Sequence, residues 1–302
     1  MKPDRIVIGI DFSDASFEAA RWATRHLGRG TEVILAHVIA IPEPPPILRG
    51  RFPRRDLVVD TVREGADKRL RELSNSLSSE RIWLEVREGD ITTGLADIAR
   101  SFEASLLVVG THGERAGLSD ALGSSAERLV RMAERPVLLV TRPSAMAPAR
   151  LLVPVDDSPV ATEALRWAAR LSERLDAQIT VLHVAAAGLM TRVLDAVAIV
   201  SGSPPVDPAA THTSAAATDR WRDLARRAGV PDNRVTSEVV LGDPAHEIIA
   251  AAERVGAGLI VMGRPGAGGV RRAVLGSVVD AVLRRAPCPV LVVGEEKLPN
   301  EE

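Results

Sequence analysis

With a single cysteine, Cys288, the chain has no partner for an internal disulfide and cannot build a cysteine-based metal cluster. The setting of that residue, Ala-Pro-Cys-Pro-Val ahead of a last apolar run, points to a small buried thiol. An excess of one charge is missing too. The formal net charge is −2, and no tail or run gathers the 38 lysines and arginines, which argues against nucleic-acid or membrane-surface binding resting on charge. No apolar run reaches the ~20 residues of a membrane-spanning helix. The opening MKPDRIVIGID shows no leader-type apolar region or cleavage signature, so the expectation is a soluble, cytoplasmic protein. Lysine is scarce as well, and none completes Gly-x4-Gly-Lys-[Ser/Thr], which removes the P-loop class.

What the chain does have is two glycine frames of identical spacing. Gly110 and Gly113 are followed, after nine residues, by Gly123-Ser124-Ser125; Gly263 and Gly266 are followed, after nine, by Gly276-Ser277-Val278. Each frame comes after a short apolar run and leads into an amphipathic segment, in the order strand, loop, helix. Glycine lets backbone N–H groups approach an oxygen-rich ligand without a Cβ in the way. A Gly-Ser helix start adds unpaired N–H donors, the positive end of the helix dipole and a hydroxyl. Phosphate is the ligand this favours. One such loop reads best as a shaped connection, whereas two in the same frame read as phosphate binding. A dinucleotide fingerprint is a poorer account, because Gly266-Ala-Gly268 follows a fourth strand and Arg271 stands where a third glycine is needed.

The chain is long enough, at 302 residues with 46% hydrophobic composition, for two domains with full cores. Periodicity predicts strands over 5–10, 32–38, 81–87, 105–109 and 136–140. Between them it predicts a helix with Phe17, Ala20, Ala23 and Leu27 on one face, and a longer one facing inward through Val62, Ala66, Leu70, Leu73 and Leu77. A third helix lies around 95–102, and another follows the glycine loop. Strands alternating with helices describe a doubly wound α/β domain with a parallel sheet.

Then the pattern repeats. Asp156, Ser158, Glu163, Arg166 and Trp167 match Asp11, Ser13, Glu18, Arg21 and Trp22 at an offset of 145. His183-Val184 mirrors His37-Val38, and Gly242-Asp243 mirrors Gly89-Asp90. The expected domains are therefore 1–142 and 150–302, joined by a linker at 143–149. An apolar insertion at 185–207 is either a short packed helix or a contact surface.

Open α/β sheets bind ligands beyond the carboxyl ends of their strands, where the strand order reverses. Asp11 and Asp156 end the first strand of each domain and the glycine loops end the fourth, so the two features converge. A carboxylate beside a polyphosphate calls for a bridging Mg²⁺ or Mn²⁺; capping of the next helix explains the same aspartates equally well. Val38 and Val184 suit either the wall against a base or an ordinary core. His37 and His183 read as hydrogen-bonded structure, since nothing completes a triad with either.

The frame Gly-x2-Gly-x9-Gly-[Ser/Thr], with its strand-1 aspartate and strand-2 His-Val, resembles the ATP-binding branch of the universal stress proteins over nearly the whole chain. The resemblance implies two tandem Rossmann-like domains of the adenine nucleotide α-hydrolase type, each with a five-stranded parallel sheet of order 3-2-1-4-5. It implies ATP in two sites, with Mg²⁺ or Mn²⁺ held through the phosphates near Asp11 and Asp156. The first site would use Gly9, Ile10 and Asp11, Val38 near adenine, and Gly110, Gly113, Gly123, Ser124 and Ser125 on ribose and phosphates. The second would use Pro154, Val155, Asp156, Val184, Gly263, Gly266, Gly276, Ser277 and Val278.

It also implies pairing through the fifth strands, so that the two domains make a pseudo-dimer within one chain, and leaves a homodimer of chains open. The role implied is a stress-response regulator or interaction module with at most slow hydrolysis. An adenylate-forming enzyme is the alternative, but it needs a Ser-Gly-Gly-x-Asp-Ser loop where this chain has Asp11-Phe-Ser-Asp-Ala-Ser. An interaction protein with vestigial loops is the other. Glu114, Arg115 and Asp120 in the first loop sum to −1, against Arg271 and Arg272 at +2 in the second with Arg264 just before, so we expect tighter phosphate binding by the second.

Overall fold

A computed structural model describes residues 4–42, 54–111, 122–141, 143–144, 146–185, 215–264 and 275–294. In the first half the apolar runs form β1 (Asp4–Gly9), β2 (Thr31–Ile39), β3 (Ile82–Glu88), β4 (Leu106–Gly110) and β5 (Val137–Val140). The helices between them are α1 (Asp14–Leu27), α2 (Arg55–Asn75), α3 (Ile91–Ser101) and α4 (Ser124–Met132). The strands pair in parallel in the order β3-β2-β1-β4-β5.

The second half repeats this with β6 (Arg150–Val155), β7 (Gln178–Ala185), β8 (Val235–Leu241), β9 (Leu259–Gly263) and β10 (Val290–Val293). Its helices are α5 (Pro159–Leu175), α6 (Ala215–Arg227), α7 (Pro244–Val255) and α8 (Ser277–Arg285). Its strand order is β8-β7-β6-β9-β10, again all parallel. The chain divides into two compact units, Met1–Ala145 and Met146–Glu302. Of the insertion expected at 185–207, only Ala185, the last residue of β7, lies within the described residues.

Burial explains why these strands read as unbroken apolar runs. Val7, Ile8, Ile34, Leu35, Leu107 and Val108 are wholly buried, as central strands covered on both faces must be. The Gly-Asp pairs that lead into α3 and α7 act as units. Gly89 sits at φ 145°, where a side chain would be strained. Asp90 then caps α3 by accepting from the Thr92 and Thr93 N–H groups, and Asp243 does the same for α7 with His246. The Thr93 N–H, with Arg128 nearby, holds the Asp90 carboxyl below the usual carboxylate range.

The inward face of α2 differs from the expectation. Val59, Ala66, Leu70 and Leu73 are buried, whereas Val62 is exposed and Leu77 lies beyond the C-cap at Ser76. At about 100° per residue Val62 falls roughly 60° from Val59, at the margin of the stripe. Phe17 of α1 is half-buried, and the burial centres on Ala19, Ala20, Trp22 and Ala23.

Cys288 is buried ahead of β10, and burial pushes its thiol up to about 12. The unfolded thiol ionises near 9.0, so this residue contributes stability fully below that pH and loses it as pH rises toward 12. We expect Cys288 to resist thiol alkylation at pH 8 in the native chain and to label at once in denaturant. Rapid native labelling would contradict the packing.

Candidate functional site at the strand ends

Strand order reverses between β1 and β4 in the first unit and between β6 and β9 in the second. The structure brings the predicted residues together at those points. Ile8 pairs with Val108 across the first switch, which sets Gly9, Ile10 and Asp11 beside Gly110. A Cβ on Gly110 would stand 2.8 Å from the Ala15 carbonyl carbon and 3.0 Å from the Ser16 nitrogen, so the end of β4 abuts the first turn of α1. In the second unit a Cβ on Gly263 would meet Val160 of α5 at 2.7 Å. The same two elements meet, with a side chain in place of backbone.

The helices that follow begin at the third glycine of each frame. Gly123 is the N-cap of α4, and its N–H donates to the Thr111 carbonyl at 2.8 Å, tying the helix start to the end of β4. Gly276 is the N-cap of α8. As glycines, these N-caps supply no capping side chain. Ser124, Ser125 and Ser277 are exposed on the first turns, and Val278 is half-buried. Gly113, Gly266, Glu114, Asp120, Arg271 and Arg272 lie outside the described residues. The guanidinium of Arg264 lies against Gly294, at the end of β10.

Asp11 and Asp156 are exposed at the carboxyl ends of β1 and β6. Neither caps a helix itself. Asp11 Oδ1 accepts from the Ser13 N–H at 3.0 Å and from the Ser13 hydroxyl at 2.5 Å, and Ser13 in turn caps α1 by accepting from Ser16 N–H. Asp156 Oδ1 accepts from Ser158 in the same way. Of the two accounts of these aspartates, side-chain capping belongs to Ser13 in the first unit, Ser158 is the N-cap of α5 without a side-chain cap bond, and both carboxylates brace the serine that follows. A lone exposed carboxylate fits a cation carried by the ligand's phosphates, since Mg²⁺ takes one or two carboxylates plus phosphate oxygens. Among the described residues no group of three His, Cys, Asp or Glu could hold a metal alone.

Gly9 and Val38 turn toward α3: a Cβ on Gly9 would meet Leu95 at 3.0 Å, and one on Gly94 would meet Val38 at 3.0 Å. Ile10, Val38 and Val155 are buried, and Pro154 and Val184 are half-buried. His37, one residue before Val38, points to the opposite face of the sheet. Its Nδ1 lies 2.7 Å from the Ile10 carbonyl, and that of His183 lies 2.9 Å from the Val155 carbonyl. Both histidines are thus bonded structure.

What the sequence left unseen is the ring beside each: Phe12 packs on His37 at 4.6 Å, and Trp221 stacks on His183 at 4.3 Å. Phe12 adopts φ 67° immediately after Asp11. No spacing signal links Trp221, in a polar helix, to β7.

This arrangement defines a tandem doubly wound α/β protein with a glycine-started helix at each switch point. The sequence model of the universal stress protein family matches residues 3–141 and 149–294, and the chain belongs to that family. A universal stress protein of Mycobacterium tuberculosis is 28% identical over 304 residues, covering 96% of this chain and 96% of its own length. Another, from Mycolicibacterium smegmatis, is 29% identical over 303 residues, covering 95% and 96%. The crystal structure of a universal stress protein from Archaeoglobus fulgidus superposes with a TM-score of 0.68 at 24% identity, over 97% of this chain and 99% of that one. It shares the fold. Among the described residues no helix is long and apolar enough to cross a membrane.

Proposed function

We propose that each unit binds an adenine nucleotide, ATP with Mg²⁺ or Mn²⁺, and that the chain acts in the stress response as a nucleotide-dependent regulator or interaction module. The observation that carries this reading is the doubled meeting of β1 with β4, and of β6 with β9, beneath a helix whose N-cap is a glycine and so offers no capping side chain of its own. First-turn N–H donors and the helix dipole there favour phosphate. Asp11 and Asp156 stand where a phosphate-borne cation would be met, and Val38 and Val184 end the neighbouring strands. Hydrolysis is at most slow, because the aspartates brace serines and, among the described residues, no lysine stands ready to stabilise a transferred phosphoryl group.

A ligand held only by the native state adds about 2.7 kcal/mol at a hundredfold excess over its dissociation constant. For units of this size that corresponds to roughly 5–10 °C in melting temperature. Native mass spectrometry of the purified chain should show up to two nucleotides per chain, and saturating ATP–Mg²⁺ should raise the melting temperature. No shift at millimolar ATP–Mg²⁺ would falsify the reading.

A further inference from the structure

The two units build the same device with rings from unrelated stretches of sequence, on the side of the sheet away from Val38 in one and from Val184 in the other. In the first unit the ring of Phe12 packs on His37 at 4.6 Å, and the Arg69 guanidinium of α2 lies 4.2 Å from the Phe12 ring centre. Arg69 also reaches the Phe12 carbonyl at 3.5 Å. In the second unit Trp221 of α6 stacks on His183 at 4.3 Å, and the Arg220 guanidinium lies 4.8 Å from the Trp221 ring. Arg220 also pairs with Asp157, next to Asp156. Cation, aromatic ring and imidazole stand together in both units, yet the ring comes from the β1–α1 loop in one and from a distant helix in the other. Internal repetition cannot explain that, because Phe12 aligns with Asp157 and not with Trp221.

Each imidazole makes the same bond. A carbonyl only accepts, so the Nδ1 of His37 and of His183 carries a proton and donates it, to Ile10 in one unit and to Val155 in the other. Those carbonyls belong to the residues immediately before Asp11 and Asp156. Ile10 is fixed from its other side as well, its N–H donating to Ala36 O at 2.8 Å.

We propose that His37 and His183 are positioning residues: each, clamped by an arginine-backed aromatic ring, fixes the carbonyl before the aspartate and so sets that carboxylate, and the serine it braces, at the mouth of the crevice. The ligand side of this inference rests on the nucleotide reading, whereas the loop-fixing side does not. In the second unit the clamp ties the Asp156 loop to α6, so a change in α6 reaches the crevice through Trp221 and His183. Burial keeps His37 below the usual histidine range, which favours the neutral ring.

The test compares the full chain with the pairs His37→Leu/His183→Leu, His37→Asn/His183→Asn and His37→Gln/His183→Gln. An asparagine amide stands near the Nδ1 position, and a glutamine amide near Nε2. Amide hydrogen exchange over residues 10–16 and 155–161 reads the loops directly, and calorimetry reads ATP affinity. Loss of one such bond predicts exchange about five- to tenfold faster and ATP binding weaker by a similar factor in the leucine and glutamine chains, with the asparagine chain close to the parent. Should the leucine chain not fold, asparagine against glutamine decides. Equal exchange in all chains, or asparagine no better than glutamine, overturns the proposal. A parent chain that binds no ATP defeats the nucleotide reading alone, since the exchange measurements still answer whether the histidines fix the loops.

Discussion

Gly110→Ala is expected to lower the melting temperature of the first unit by about 6–12 °C, and Gly263→Ala to lower that of the second by far less. Both glycines end the fourth strand of their unit, so composition and position predict equal effects. The surroundings do not. At Gly110 a methyl group would meet backbone, with the Ala15 carbonyl carbon at 2.8 Å, its oxygen at 2.9 Å and the Ser16 nitrogen at 3.0 Å. Backbone in the first turn of a capped helix cannot step aside without carrying α1 away from β4. Overpacking of this kind costs typically 1–3 kcal/mol and occasionally more, and the upper end applies here.

At Gly263 the nearest atom is the Val160 Cγ1 at 2.7 Å, and the nearest backbone is the Val160 carbonyl carbon at 3.2 Å. Rotating one valine relieves most of that contact, for a cost of about 1 kcal/mol. A kilocalorie shifts the melting temperature of units this size by roughly 2–4 °C. Calorimetric scans of the two single variants decide the matter. Equal losses, or a larger loss for Gly263→Ala, would mean that the backbone at Ala15 yields more easily than the geometry allows.

The same contrast shows which levels of structure the residues disclose. Strands buried on both faces announce themselves, because Ile6, Val7 and Ile8, or Leu151, Leu152 and Val153, leave no polar position for solvent. The first glycine of each frame, Gly110 and Gly263, announces the switch point for a different reason: close approach of one chain segment to another excludes a side chain there. The face of α2 was harder to read. Its N-cap, Arg54, makes no side-chain cap bond, so only a loose apolar stripe marks its register, and that stripe does not distinguish Val59, which is buried, from Val62, which is exposed. Asp11 was legible as important but not in its role, since a brace for Ser13 and a partner for a phosphate-borne cation call for the same residue at the same place. The clamps on His37 and His183 could not be read at all. Their rings come from φ 67° at Phe12 and from the packing of α6, and neither leaves a periodic trace.

Gly123→Val together with Gly276→Val is expected to weaken ATP binding by at least about a hundredfold while leaving the fold intact. The backbone tolerates the change, because Gly123 sits at φ −61°, ψ 138° and Gly276 at φ −57°, ψ 143°, an extended conformation that valine adopts readily. The bonds these residues make are backbone ones, Gly123 N–H to Thr111 O at 2.8 Å and Glu127 N–H to Gly123 O at 2.9 Å, and they survive substitution. Valine is a poorer N-cap than glycine, which costs up to about 1 kcal/mol per helix and keeps the circular dichroism spectrum native. On the proposed reading, glycine at these positions also leaves room for phosphate oxygens at the helix start. Branched carbons there fill the room, and a hundredfold loss corresponds to about 2.8 kcal/mol. Gly123→Ser separates binding from stability: serine caps a helix at least as well as glycine, so the melting temperature should hold or rise while ATP affinity in the first unit falls. The single valine variants then report each unit alone, and the arginines at 271 and 272, against Glu114 and Asp120, predict tighter binding where Gly276 is intact. Native ATP affinity in the folded double variant would remove phosphate from these helix starts.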